Sequence, residues 1–129
     1  MSFAIVDCLS SASGKVNEDR AGAAHDFAWV IDGATDVVER PLTPAATDAD
    51  WIAHHLDVAL TALSATPSID LSQVPELTAA RLAADFAREA SRVPIDKTEH
   101  PSASAFVVRA RAIPIDILFV RVRACVVGF

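Results

Sequence analysis

The chain has 129 residues, 52% of them hydrophobic, which predicts one globular domain with a real core across residues 1–129. Its formal net charge is −6 and its lysines and arginines form no cluster that would neutralise a phosphate backbone, so nucleic acid is excluded as an expected partner. Two cysteines in apolar runs favour reduced core thiols in a cytoplasmic protein, with a buried pair in contact as the alternative. No apolar stretch reaches the roughly 18 residues that span a bilayer.

Two strands are predicted in the N-terminal third. Residues 3–9 are rich in apolar side chains and are followed by a Ser/Gly cluster, which predicts a strand and then a loop that carries the polar group NEDR at residues 17–20. Residues 26–31 are rich in aromatic and β-branched side chains and end at Asp32 and Gly33, a pair that commonly turns the backbone. The second strand therefore delivers Asp32 at its end.

Two amphipathic helices are predicted next. From Asp48 onward apolar residues recur at helical spacing, with Asp48 or Thr47 available as the N-cap. After a turn at residues 66–70 a second helical pattern begins, with Pro75 in its first turn. The helix pair covers about residues 47–92.

The C-terminal part predicts a β-hairpin. Residues 106–111 alternate with period two, and a longer apolar run, from Ile115 to Val127, follows a turn near Pro114. The arginines of this hairpin are predicted on one strand face, solvated by default and otherwise able to bind an anion: Arg109, Arg111, Arg121 and Arg123. The element order predicts an α+β fold with antiparallel β-sheet layers and a flanking helix pair.

Acidic side chains gather where the first two strands end. Hairpin pairing would bring Glu18 and Asp19 close to Asp32, and like charges held close raise one another's pKa unless a cation lies between them. Mg²⁺ and Mn²⁺ prefer oxygen ligands, so these carboxylates and the carbonyl of Gly33 predict a partial metal site. By spacing alone, a solvated loop and a local turn remain the simpler interpretation.

Histidines offer a second set of potential ligands. His54 and His55 are adjacent on the first predicted helix, so their side chains point about 100° apart and are not placed to bind one ion. We predict both on the solvent-facing surface. His25 and His100 are predicted in loops.

Three segments in order resemble the N-terminal half of the protein phosphatase 2C-like (PPM-type) family: VNEDRAG at residues 16–22, WVIDGATD at 29–36 and, after two helices, PSASAFVVR at 101–109. The resemblance covers most of residues 1–109. It implies that the fold is part of that family's β-sandwich and that the chain is an N-terminal portion of the phosphatase domain. It also implies a hydrolase, a metal-dependent serine/threonine protein phosphatase in which two Mg²⁺ or Mn²⁺ ions activate a water.

By position, the resemblance implies that Asp19 and Asp32 are the metal-binding carboxylates and that Gly33 offers its carbonyl. Glu18 would be a further ligand or an acidic residue that contacts the ligands without binding the metal. The expected substrate is a phosphorylated protein or a small phosphate ester.

The cation that assists phosphate binding in the family would here be Lys15 or Arg20. The chain departs from the family pattern at Ala34, where many members have a histidine after the glycine. The family also draws further aspartates from its C-terminal half, so a chain that ends at Phe129 is expected to come from a truncated or frame-shifted reading frame or to be a naturally reduced relative, and to hold at most one metal well.

Two consequences follow from these departures. We expect only feeble phosphatase activity, and the alternative function is a catalytically silent, phosphatase-like binding module. With part of the sandwich missing, the apolar face of the sheet is expected to be exposed or covered by a second copy, so self-association through the incomplete sheet is expected.

Overall fold

The computed structural model describes residues 16–34, 40–110 and 115–123. These residues form one antiparallel sheet of four strands in the order β1-β2-β3-β4, with two α-helices between β2 and β3. The elements are β1 (Asp19–Ala24), β2 (Phe27–Gly33), α1 (Asp48–Ser64), α2 (Val74–Glu89), β3 (Ser102–Ala110) and β4 (Ile115–Arg123), with short 3₁₀ helices at Leu71–Gln73 and Lys97–Glu99. The predicted α+β class is confirmed.

The N-terminal hairpin is formed by a strand that the sequence analysis assigned to a loop. β1 pairs with β2 along its whole length, whereas the strand predicted at residues 3–9 lies outside the described residues. β1 is built mainly of alanine and glycine, so it lacks the alternation of large apolar side chains that identifies a strand in a sequence. The turn to β2 places His25 at φ 55°. Asp19 and Arg20 therefore lie in a strand and not in a loop.

The two helices cover one face of the sheet and form the core with it. Thr47 caps α1 by accepting a hydrogen bond from the Asp50 amide, and Pro75 lies at the start of α2, as predicted. The largest fully buried side chains include Phe27, Ile52, Leu56, Leu82, Phe86 and Val107. Of the helices in the described part of the chain, none combines the length and apolarity needed to cross a bilayer.

Trp29 connects β2 to α1 through a hydrogen bond, and its ring packs directly on Gly22 of β1. Its indole Nε1 donates to Asp57 Oδ1 at 2.7 Å, and its ring lies across Gly22 of β1. A Cβ built on Gly22 would lie 2.8 Å from three atoms of that ring. The small residue in β1 therefore leaves room for the largest side chain of β2.

Arg109 and Arg121 lie on opposite faces of the sheet, so the prediction of one arginine face is wrong. The register pairs Arg109 with Phe27 on the helix-covered side, while Arg121 pairs with Ser104 on the other side. Arg109 Nε donates to Asp26 Oδ2 at 2.9 Å and its Nη1 to the Ile69 carbonyl at 2.6 Å. The face that each arginine occupies depends on the β3–β4 register, which the sequence alone does not specify.

The sheet face opposite the helices, which we call the open face, is exposed among the described residues. Val30, Phe106, Ile117 and Phe119 are between 53% and 68% exposed. The rings of Phe106 and Phe119, which are cross-strand partners, lie 4.8 Å apart. Alternate residues on the same strands are buried under the helices, so the strands are apolar on both faces.

Candidate functional site

Two carboxylates predicted to meet are cross-strand neighbours at one end of the sheet. Asp19 begins β1, Asp32 is the penultimate residue of β2, and the register pairs them directly. Residues paired in this way have Cβ atoms about 4.5–5.5 Å apart. The predicted approach of Asp19 and Asp32 is confirmed.

The surroundings of Asp19 raise its pKa. Burial of the carboxyl is the largest cause, and a hydrogen bond to Asp32 and the negative charge of Asp32 act in the same direction. A backbone hydrogen bond from Gly33 and the charge of Arg20 partly offset these effects. A hydrogen bond between two carboxyl groups needs a proton on one of them, and a cation placed between the two would relieve the same repulsion.

Gly33 allows three backbone segments to converge beside the pair. Its amide donates to the Glu18 carbonyl at 3.0 Å, and a Cβ built on it would lie 2.5 Å from that oxygen and 2.6 Å from the Ala49 carbonyl oxygen. The first turn of α1 therefore packs against the end of β2 only because residue 33 has no side chain. The carbonyl of Gly33 as a metal ligand stays a prediction.

Glu18 contributes its backbone to this arrangement. In the described part of the chain, the Glu18 carboxylate does not join Asp19 and Asp32 as a third potential ligand within 4.8 Å. Its predicted role as a ligand or a supporting acid stays a prediction.

Arg20 holds the start of β1 against α1. Its Nη1 donates to the carbonyl oxygens of Asn17 and Asp19, each at 2.8 Å, and its Nη2 pairs with Asp50 in the first turn of α1 at 2.5 Å. This guanidinium is therefore engaged by groups of the protein, and its predicted role in phosphate binding stays a prediction. Lys15, the other predicted cation, lies outside the described residues.

We expect Arg20→Ala to lower the free energy of unfolding by about 1–2 kcal/mol, because three charge-assisted hydrogen bonds are lost from a side chain that is only partly exposed. Arg20→Lys should recover only part of this loss, since an ammonium cannot reproduce the planar fork. Urea denaturation measures both values. Arg81→Ala, at an exposed position of α2, is the control. An Arg20→Ala curve that overlays this control would contradict the role.

A groove of about 710 Å³ runs along the open face from the carboxylate pair. Asp19, Arg20 and Asp32 lie at its polar end, and Val30, Phe106 and Phe119 form its apolar wall. The polar end could hold an ion and a charged group, while the apolar wall could contact the organic part of the same ligand.

The structure also brings together three potential ligands that the sequence analysis did not connect. His55 Nδ1 lies 3.1 Å from Asp85 Oδ2, and His55 Nε2 lies 3.6 Å from Glu89 Oε2. Among the described residues these three side chains place potential metal-binding atoms within 4.8 Å of one another. The prediction that His55 faces solvent is wrong because its ring stacks on Trp51 at 4.2 Å and faces α2. His54 is exposed, as predicted.

The cluster of His55, Asp85 and Glu89 connects α1 to α2. Burial raises the pKa of Asp85, but the hydrogen bonds from Arg88 and His55 outweigh burial and lower it overall. His55 Nδ1 is hydrogen-bonded to Asp85 Oδ2, and its Nε2 lies 3.6 Å from Glu89 Oε2, beyond hydrogen-bond distance, so the imidazole connects the two helices mainly through Asp85. The four-residue spacing of Asp85 and Glu89 on one helix face was the signal available in the sequence.

Comparisons of the chain with family models, curated proteins and solved structures found no match. The candidate site is therefore defined by its own residues, the Asp19–Asp32 pair, Gly33 and the adjoining groove.

Proposed function

We propose that the chain is a metal-dependent phosphatase of the PPM type, in which Asp19 and Asp32 bind Mg²⁺ or Mn²⁺. The observation that carries the proposal is the direct pairing of these two carboxylates at the strand ends, together with the raised pKa of Asp19. A pair of carboxylate groups suits a hard divalent cation that keeps several of its waters. The resemblance of VNEDRAG and WVIDGATD to the family's metal-binding segments supports the same assignment.

The metal would supply Lewis-acid chemistry, lowering the pKa of a bound water and polarising a phosphoryl oxygen. The chain's own residues hold and orient the reactants. Asp19 and Asp32 bind the cation, Gly33 sets the approach of the backbone segments, and Arg20 fixes the start of β1. The apolar wall of the groove would contact the organic group of a phosphorylated side chain or small phosphate ester.

The expected activity is feeble. Among the described residues, only two carboxylates meet at this site, whereas a two-metal phosphatase needs further acidic ligands. Ala34, after Gly33, has no group that could transfer a proton. The same observation favours a second candidate function, a phosphatase-like module that binds a metal and a phosphorylated ligand without turnover.

Mn²⁺ is expected to stabilise the folded chain. At ten times its Kd, an ion that binds only the folded state contributes about 1.4 kcal/mol, which for a chain of this length corresponds to a rise in Tm of about 5 °C. Thermal melts with and without Mn²⁺ measure this shift. Release of a chromogenic phenol from an aryl phosphate tests for the slow, Mn²⁺-dependent hydrolysis.

The exposed Glu76 of α2 provides a matched control, because Glu76→Gln removes one negative charge far from the pair in sequence and should leave the Mn²⁺ shift intact. A melt that Mn²⁺ does not move would overturn the metal site. A shift without hydrolysis would support the silent binding module, and hydrolysis that persists in a chelator would contradict a metal-dependent enzyme.

A further inference from the structure

The open face has an ordered arrangement of side chains in rows across the four strands. The register aligns one polar row, Asp19, Asp32, Ser104 and Arg121. The next row is apolar: Ala21, Val30, Phe106 and Phe119. A third row, Ala23, Ala28, Val108 and Ile117, is also apolar. The face therefore has an apolar centre bordered at one end by a charged row.

Charge is divided across that polar row. The two carboxylates are on β1 and β2, at one side of the sheet, and Arg121 is on β4, at the other side. Arg123, also exposed, extends the positive side. Both arginine side chains are exposed to solvent, where an external partner can reach their charges.

We propose that the open face binds the open face of a second copy of this chain, about a two-fold axis that runs parallel to the strands. Such an axis reverses the strand order, so β1 of one copy faces β4 of the other at the same level along the strands. Asp19 then faces the partner's Arg121, and the two-fold repeats this contact. The apolar rows meet at the centre, as in sheets that pack face to face about 10 Å apart.

This pairing satisfies both features of the face at once. The exposed apolar side chains Val30, Phe106 and Phe119 become buried, which is the main driving force for association. Because these side chains also line the groove beside Asp19 and Asp32, the dimer closes that groove, and metal and substrate bind the monomer. The partner's Arg121 offsets the repulsion between Asp19 and Asp32, so the charged row becomes the polar rim of the interface. A copy turned about an axis perpendicular to the strands would reverse the strands' direction and separate the charged rows.

The size of the face sets the expected affinity. Four strands about 4.8 Å apart, with three rows about 7 Å apart, give a flat area of roughly 300–400 Å² in each copy. This area lies below the roughly 800 Å² per partner of standard stable interfaces, so only a weak, transient dimer is expected, with a dissociation constant on the order of micromolar or weaker. The dimer should therefore dissociate on dilution.

Sedimentation equilibrium of the whole chain in metal-free buffer with chelator tests the proposal, because association is then measured independently of metal binding. We expect a monomer–dimer equilibrium between about 1 and 200 µM. Asp19→Arg and Arg121→Asp, each alone, should weaken self-association at least tenfold, because each places like charges opposite one another twice. An equimolar mixture of the two variants should restore dimers, since both contacts then join opposite charges.

Two further variants separate the face from general effects. Phe106→Thr introduces a β-branched residue that suits a strand and should weaken dimerisation at least tenfold, whereas Val58→Thr, at an exposed position of α1, should not. A chain that is monomeric at every concentration would overturn the proposal, including the case in which residues 1–15 cover the face. Dimers that persist unchanged in Asp19→Arg and Phe106→Thr, or a mixture that restores nothing, would also overturn it.

Discussion

Asp32→Asn is expected to change stability in opposite directions without and with metal. Without metal, the substitution removes a charge opposite Asp19, and because exposed charge pairs contribute at most about 1 kcal/mol, Tm should rise by about 1–3 °C. With Mn²⁺, the unaltered chain should gain about 5 °C and the variant almost nothing, since one of two carboxylate ligands is gone. Thermal melts at matched metal concentrations give both values.

The pH dependence of the metal-free chain follows from the raised pKa of Asp19. When the pKa is higher in the folded state, the unfolded chain releases its proton first, so the free energy of unfolding falls as pH rises from the ordinary aspartate pKa through the raised one. Asp32→Asn removes two of the causes of the shift and should flatten this dependence above about pH 4. Urea denaturation at several pH values, with chelator present, compares the two chains.

The same variant tests the proposed activity. Any Mn²⁺-dependent hydrolysis of an aryl phosphate should fall by at least about 100-fold, because the remaining carboxylate holds the ion poorly and orients it less well. Glu76→Gln should retain the activity of the unaltered chain. If Asp32→Asn destabilises the metal-free chain, or keeps the full Mn²⁺ shift, the pair is a structural feature and not a cation site.

The elements with strong local signals were predictable from the sequence. β2 has aromatic and β-branched residues and ends at the Asp32–Gly33 pair, and α1 begins at a threonine that caps its first turn. Because Asp32 and Gly33 come directly after the aromatic and β-branched residues of the same strand, neighbouring residues were enough to predict the position of Asp32. The α+β class followed from the order of these elements.

Features that depend on distant residues were not predictable. β1 is a strand because β2 supplies its hydrogen-bond partners, and its alanines and glycine give no pattern of their own. Arg20 is engaged by Asp50, thirty residues further along the chain, and His55 by Asp85, also thirty residues away. The spacing of Asp85 and Glu89 places them on one helix face, but no local pattern identifies their partner on α1, because these contacts arise from how α1 packs against the sheet and α2.

Gly33→Ala is expected to be the most destabilising single change near the site. The added Cβ would meet two backbone oxygens, of Glu18 at 2.5 Å and of Ala49 at 2.6 Å, so either the start of β1 or the first turn of α1 must move. Overpacking against groups that cannot rotate away costs about 2–3 kcal/mol, or roughly 10 °C in Tm for a domain of this size. Chemical denaturation and thermal melts measure this loss.

Gly22→Ala is the matched comparison for the same substitution elsewhere in the hairpin. Its Cβ would lie 2.8 Å from the Trp29 ring, so the expected response is a displaced indole and a weakened hydrogen bond to Asp57. Both alanines should lower stability, but only Gly33→Ala should also weaken Mn²⁺ binding, measured by calorimetry below the melting range, because the backbone shift changes the spacing of Asp19 and Asp32. Equal losses of Mn²⁺ affinity in the two variants would show that metal binding follows overall stability. Unchanged Mn²⁺ affinity in Gly33→Ala would show that this glycine has no role in the metal site.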